Sequence, residues 1–292
     1  MIPVLEVGGT HVSAALVDVD AGTLVGAATH LALDSTASAA QIVDTLVQAA
    51  NAVPSPDAAT WGVAMPDPFD YECGIALFDG VGKFESVRGL DLRALLSARL
   101  LGRPHRIVFL NDADAFALGE WALGAAAGHR RCVGITLGTG VGTGWIVDGR
   151  IVASGPGIPA GGRAHRLEIE GAPLEDTVSS RAIRRAYLAS TGDAAADVRV
   201  IAERARYGEP AACAVLRHSM RALGTALGPC VRDFAADIVV IGGSMSVSWD
   251  LFEPWFRSGF ADAGEPPPIT LANDLDHAPL LGAARFARDT TR

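Results

Sequence analysis

The feature that most constrains this chain is a repeated one. Twice, an apolar run of strand-forming residues meets a glycine–threonine turn and continues into a second such run. The first instance is VLEV, then Gly8-Gly9-Thr10, then HVSAALVDV. The second is RCVGITL, then Gly138-Thr139-Gly140-Val141-Gly142-Thr143-Gly144, then WIVDG. Apolar, β-branched runs bounded by glycine turns predict antiparallel hairpins. Glycines also let the backbone approach a ligand and point successive amides at it, and threonine hydroxyls add donors. One such turn reads as a tight hairpin. Two at the same place in a repeated unit predict a cradle for a polyphosphate. Neither turn is a P-loop, because Gly-Lys-Ser/Thr is absent. A strand rather than a helix follows each, so neither is a Rossmann fingerprint, and hydride transfer is disfavoured.

The 292 residues suit about two domains, and the repeat suggests two similar lobes around a cleft, where ligands usually bind. A helix is expected over about 37–52, opened by Ser35 or Thr36, and a strand over TWGVAM. A long loop over 67–90, a helix over about 91–101 and the strand RIVFL follow. The segment 155–171 reads as irregular, helices dominate about 177–235, and DIVVIGG is a strand. A helix begins near Ser248, a proline-rich loop covers 264–270, and a final helix covers about 278–290.

With 49% hydrophobic and 20% charged residues the chain is not disordered. A net charge of −9 argues against nonspecific nucleic-acid binding, which neutralises phosphates with Lys and Arg. Lys83 is the only lysine, so no other can act as a phosphate clamp. Cys73, Cys132, Cys213 and Cys230 form no CxxC pair. That spacing predicts no tetrahedral cysteine zinc site, and a reduced, cytoplasmic setting is expected. No apolar run is long enough for a membrane span and no secretory signal is visible. His11, His30, His105, His129, His218 and His277 lack metal spacing and read as surface or packing residues, and Trp121 and Trp145 as core.

Asn111-Asp112 lies between an apolar strand and a helix. One of Asn111, Asp112 or Asp114 is expected to cap that helix. A carboxylate there is also placed to take a proton from a substrate hydroxyl attacking a terminal phosphoryl group. Gly242-Gly243, after DIVVI, reads either as a strand–helix turn or as close backbone approach to a nucleotide.

Together these segments resemble the ROK family of sugar kinases, within the actin-like ATPase superfamily. The resemblance covers nearly the whole chain in order: VLEVGGTHVSAALVD, GVAMPDP (usually G-x-x-x-P-G-P), LNDADAFALGEW, GITLGTGVGTGWIVDGRI, IVVIGGSMS and HAPLLGAARFA. It implies an α/β, two-lobed actin-like ATPase (ribonuclease H-like) fold with a central cleft. The expected lobes are 1–111 plus 277–292 and 112–276, with Thr10 and Thr139 facing each other across the cleft. It implies ATP- and Mg²⁺-dependent phosphorylation of a sugar hydroxyl, typically the 6-hydroxyl of a hexose, with Asp112 as base. The ATP-binding residues would be Gly8, Gly9, Thr10, His11, Gly138, Thr139, Gly140, Gly142, Gly242 and Gly243. Asn111, Asp112, His165, Glu175 and Asp79 would bind the sugar. A homodimer is implied as well.

The pattern has departures. The first loop usually begins with an aspartate that helps hold hydrated Mg²⁺, and here Glu6 stands there, one methylene longer. The loop asparagine that touches the sugar has no clear match; Asp79 or Gly80 falls near it. The E-x-G-H sugar motif is replaced by GGRAHR. One register sets Gly162 on the glutamate and His165 on the histidine, and a shift by one sets Arg166 there; the first is preferred. The cysteine-rich zinc loop is missing, so no zinc is expected. Glu175, in APLEDTVSSRAI, falls on the glutamate that ends that loop, or is a first-turn helix acid. The altered sugar half leaves open an amino sugar or a cyclitol as acceptor, polyphosphate as donor, or a non-catalytic sugar sensor. A repressor of the same family needs a DNA-binding domain ahead of the first loop. That loop begins at Glu6, so a repressor is not expected.

Overall fold

The computed structural model describes residues 1–290; residues 291–292, the end of the first expected lobe, lie outside them. The chain divides into two compact units, Met1–Gly124 with the chain from Asp276 onward, and Ala125–Leu275.

In the first unit, β1 (Ile2–Val7) pairs antiparallel with β2 (His11–Asp18). β3 (Thr23–Leu24) and β4 (Thr29–Ala32) also pair with β2. Helix α1 (Ala39–Asn51) is capped by Ser38, whose side chain and Gln41 form a capping box. The helix starts later than expected, because the Thr36 amide and hydroxyl both donate to Asp34 Oδ1, at 2.8 and 2.7 Å, holding a turn there. β5 (Thr60–Met65) lies parallel to β1. The expected loop 67–90 contains a small hairpin, β6 (Phe69–Asp70) with β7 (Ile75–Ala76). It is anchored by the buried rings of Phe78 and Phe84, 5.1 Å apart. Helix α2 (Leu92–Arg99) then leads to β8 (Arg106–Asn111), parallel to β5. Because β1, β5 and β8 are mutually parallel, their carboxyl ends share one edge of the sheet, where open α/β sheets bind ligands.

Helix α3 (Asp112–Leu123) packs on the C-terminal helix, Ala278–Thr290. The contact is backbone to backbone: a Cβ on Gly119 would collide with the Ala278 carbonyl, and one on Gly282 with the Ala115 carbonyl. This packing carries the first unit past residue 111 to Gly124. Trp121 is half-buried rather than in the core, with the Arg285 guanidinium 5.8 Å from its ring centre.

The second unit repeats the plan. β9 (Arg131–Leu137), β10 (Val141–Val147) and β11 (Arg150–Ile151) form an antiparallel meander. β12 (Glu168–Ile169) and β13 (Ala172–Pro173) make a separate hairpin. Helices α4 (Glu175–Val178), α5 (Ser180–Thr191), α6 (Val198–Arg206) and α7 (Pro210–Asp233) follow. β14 (Ile238–Gly242) lies parallel to β9, and helix α8 (Trp249–Phe260) comes next. β15 (Ile269–Leu271) then adds a strand inside the expected 264–270 loop. Pro268 O accepts from Val239 N at 2.9 Å and fixes its register. Three residues after a proline run are too few to show alternation. The strand orders β3-β2-β1-β5-β8 and β11-β10-β9-β14-β15 are thus one topology used twice. Fully buried Trp61 and Trp145 anchor the two cores, each large ring contributing roughly 1.5–3 kcal/mol of burial. No helix among the described residues is long and apolar enough to cross a membrane.

Candidate active site

The first unit gathers acidic side chains at the carboxyl edge of its parallel strands. Glu6 is the fifth residue of β1 and in register with Ala64, which is in register with Leu110. Asp112 follows two residues after Leu110. The Glu6 side chain is only 14% exposed. Burial first, then the negative charges of Asp112 and Asp276, push its carboxyl up to about 7, although the Ser13 hydroxyl bond to it pulls the other way. Ser13 is itself buried and lies 3.0 Å from His30 Nδ1. His11 Nε2 lies 3.6 Å from Glu6 Oε2, and its side chain is exposed. The Gly8-Gly9-Thr10 turn is closed by Gly8 N donating to His11 O at 2.9 Å, and Leu33 N donates to Thr10 O at 2.9 Å. A Cβ on Gly8 would lie 3.0 Å from the exposed His11 ring, which would have to shift to admit it.

Asn111 caps α3. Its Oδ1 accepts from Ala113 N at 3.0 Å and Asp114 N at 3.3 Å. Its Nδ2 donates to Asp67 Oδ2 at 3.2 Å and to the Tyr71 hydroxyl at 3.1 Å. Both amide hydrogens and the amide oxygen of Asn111, the expected sugar ligand, are bonded inside the protein in this structure. The helix has its cap in Asn111 and not in Asp112. Asp112 begins the first helical turn, where the helix N-terminus favours a carboxylate. Asp79 lies in an exposed loop, with Arg88 Nη1 2.9 Å from its Oδ1.

The second unit builds its turn from backbone. Gly138 N donates to Gly140 O at 3.0 Å, closing the β9–β10 turn, and Ser180 N donates to Gly138 O at 2.9 Å. Gly138 faces Ser244: a Cβ there would lie 3.3 Å from its Oγ. Gly243 has φ +81°, and a Cβ on it would strike Leu137, with the Leu137 N only 2.6 Å away. The Gly242-Gly243 pair thus lies against the root of the Gly138 turn, and Met245 N donates to Leu137 O at 3.0 Å. Among the expected nucleotide residues, Gly138, Thr139, Gly140, Gly142, Gly242 and Gly243 are brought to one end of this sheet.

Glu175, the first residue of α4, faces Gly140: a Cβ there would lie 3.2–3.3 Å from the carboxylate. Arg181 Nη2 donates to its Oε1 at 3.1 Å. Gly162 has φ +77°, and its carbonyl accepts from Thr143 Oγ1 at 2.7 Å and Trp145 Nε1 at 3.1 Å. His165, in the short turn after it, is half-buried, and Arg166 is exposed. The β12–β13 hairpin joins this turn to Glu175. Leu174 N donates to Leu167 O at 2.7 Å, and the tip residues Glu170 and Gly171 have φ +53° and +79°, the geometry of a tight two-residue hairpin turn. Among the described residues no group of three or more His, Cys, Asp or Glu side chains is placed to hold a metal.

Motif reading passes over Ser13, which bonds to Glu6, His30, which bonds to Ser13, and Asp67 and Tyr71, which hold Asn111. For Asp67 a signal exists in GVAMPDP, since the aspartate stands where the loop usually has its second glycine. Ser13 and His30 are ordinary strand residues, Ser13 brought to Glu6 and His30 to Ser13 by strand pairing, and no local pattern marks them.

A model of the ROK family matches residues 3–290. A glucokinase from Thermotoga maritima is 28% identical, over 98% of this chain and 96% of that protein. The crystal structure of a ROK hexokinase from Thermus thermophilus superposes with a TM-score of 0.79 at 25% identity, covering 99% of this chain and 98% of that one. A ROK family glucokinase from Streptomyces griseus, solved with glucose and AMPPNP, gives a TM-score of 0.77 at 25% identity and covers 99% of each chain.

Proposed function

The chain belongs to the ROK family of actin-like ATPase fold and is a carbohydrate kinase, and from that premise we propose that it transfers the γ-phosphoryl group of ATP to a hydroxyl of a hexose or hexose-like acceptor, with Asp112 as general base. The acceptor oxygen forms a bond to the γ-phosphorus. The bond from that phosphorus to the β–γ bridging oxygen breaks, ADP leaves, and Asp112 receives the hydroxyl proton. The observation that carries this reading is the division of labour at the start of α3. Asn111 caps the helix, and Asp112 stands beside Glu6, close enough to raise its proton affinity.

The amides of Gly9, Thr10 and Thr139 suit phosphate oxygens, and Gly242-Gly243 gives the nucleotide a side-chain-free surface. The donor chemistry of Glu6, crowded by Asp112 and Asp276, is all oxygen and strongly anionic, which fits a hard cation that keeps its waters and is shared with substrate phosphates. Mg²⁺, held through water by Glu6, would neutralise phosphate charge there. A homodimer, twice the 30.2 kDa chain, is part of this reading and is checked by light scattering.

A second reading concerns the acceptor. In the preferred register Gly162, whose carbonyl accepts from Thr143 and Trp145, is the residue that aligns with the glutamate of the sugar motif. That leaves an amino sugar or a cyclitol open as acceptor beside a hexose. ADP release is measured against hexoses, amino sugars and cyclitols with ATP, and product formation with polyphosphate. Turnover with ATP and at least one of these acceptors is expected. A rate no higher than the acceptor-free rate across the whole panel removes the kinase assignment.

A further inference from the structure

We propose that Asp67 and Tyr71 are positioning residues for phosphoryl transfer. They lock the Asn111 amide and, through it, the backbone from which Asp112 reaches the acceptor hydroxyl. The inference rests on the kinase reading above.

Met65 and Asn111 are register partners at the carboxyl ends of the neighbouring parallel strands β5 and β8. The loop leaving β5 turns back at once, and its Asp67 and Tyr71 meet the Asn111 side chain. One Asn111 N–H goes to Asp67 Oδ2 at 3.2 Å and the other to the Tyr71 hydroxyl at 3.1 Å. The Tyr71 hydroxyl has two acceptors in reach, Asp67 Oδ1 at 2.9 Å and Met65 O at 3.0 Å. On its other side the Asn111 oxygen accepts from Ala113 N and Asp114 N. A flipped amide would set its oxygen against the Asp67 carboxylate and its N–H groups against backbone N–H groups. Only one orientation satisfies the site.

Asn111 is 4% exposed, so an amide hydrogen that loses its partner has no water to replace it. The arrangement needs a side chain at 67. The glycine usual in this loop has none, so the clamp depends on the aspartate and tyrosine of this chain. Asp112 is covalently next to the locked residue, and a base must sit within a fraction of an ångström of its productive place. A clamp that merely closed the loop would alter stability; a positioning clamp alters the chemical step and acts through Asp112.

The test compares Asp67→Ala, Tyr71→Phe and the conservative Asp67→Asn, each alone and with Asp112→Asn, in the full chain. Asn at 67 keeps one acceptor for Asn111 while the Tyr71 hydroxyl turns to Met65 O. Asp67→Ala and Tyr71→Phe are expected to lower kcat roughly tenfold or more with KM for ATP unchanged, and Asp67→Asn to retain most of the rate. On the Asp112→Asn background the same changes are expected to cost less than about twofold, because they act through that carboxylate. A kcat equal to wild type, or an undiminished loss on the Asp112→Asn background, overturns the proposal. Hydrogen exchange of the Asn111 side-chain amide gives a readout free of turnover. Protection in wild type, lost in Tyr71→Phe, supports the clamp, and fast exchange in folded wild type sinks it. If wild type phosphorylates no acceptor, the kinase reading falls and takes this proposal with it. If wild type turns over and the variants match it, only the proposal falls.

Discussion

At the tip of β1–β2 and at the tip of β9–β10 the chain makes comparable turns in two different settings. In the first unit the turn borders side chains with ionisable groups: Glu6, His11 and, along the same sheet edge, Asp112. Those groups are held by other side chains, Ser13 for Glu6 and Asn111 with Asp67 and Tyr71 beneath Asp112. In the second unit the glycines of the turn themselves are crowded by their neighbours. Gly138 faces Ser244, Gly140 faces the Glu175 carboxylate, and Gly243 lies against Leu137 with no room for a Cβ. One topology therefore carries two kinds of site. Where side chains do the work, the fold should survive substitution while the chemistry suffers. Where backbone does the work, adding an atom should damage the fold itself.

The sharpest break in that contrast comes from Asp112→Asn. Base catalysis contributes typically about 10²–10⁴-fold, so kcat should fall by that order. ATP affinity and melting temperature should change little, since Asn111 keeps the cap. Kinetics with calorimetric ATP titration check this, and a variant holding more than about a tenth of wild-type kcat, against that range, removes Asp112 from the role. Gly243→Ala should show the opposite signature. The left-handed backbone costs roughly 1–2 kcal/mol with a side chain, and forcing a methyl against Leu137 adds about 1–3 kcal/mol more. Urea unfolding should show that loss, and an unchanged midpoint would mean the loop can simply open.

Glu6 sharpens the comparison through pH. Its carboxyl sits near 7 when folded, against an ordinary 4.5. The folded state thus binds this proton more tightly. The stability it contributes is complete below the unfolded value and is lost as pH rises through about 7. Glu6→Gln cannot ionise. It should therefore be more stable than wild type at pH 8 by up to about 3 kcal/mol, and close to wild type at pH 4.5. Denaturation at the two pH values measures the difference, and a gain that is equal at both would point to a cause other than ionisation. The smallest effect is expected at Gly171. It shares the left-handed backbone of Gly243, with φ +79°, but a Cβ there meets nothing within 4 Å. Gly171→Ala should cost only the backbone share, about 1–2 kcal/mol. A loss as large as that at Gly243 would show that the β12–β13 hairpin does more than join two segments.

Much of the fold is legible in the residues. The two hairpins follow from apolar, β-branched runs and glycine turns, and β14 and the helix after Asn111-Asp112 from their apolar runs and turn residues. The misplacements are local. The cap of α1 moves to Ser38 because Asp34 holds Thr36 in a turn, and β15 is too short to show a period. In the site, glycine positions carry over well, because a left-handed or crowded backbone leaves a glycine in the sequence. Side-chain partnerships do not. Asn111 reads as a ligand-facing amide, and only the loop after β5 shows that both its hydrogens are already used.

The sequence by itself determined the strand–turn–strand repeat, the glycines at each turn and an acidic residue at the start of α3. These are written in local patterns of apolar spacing and backbone permission, which act between neighbours in the chain. Tertiary structure alone decided which groups face those residues. Glu6 holds its proton near neutrality only because folding buries it and brings Asp112 and Asp276, more than a hundred residues away in the chain, within electrostatic reach. Asn111 is locked only because parallel pairing of β5 with β8 sets Asp67 and Tyr71 beside it. Desolvation and hydrogen bonding depend on what is near in space, and no local pattern encodes that.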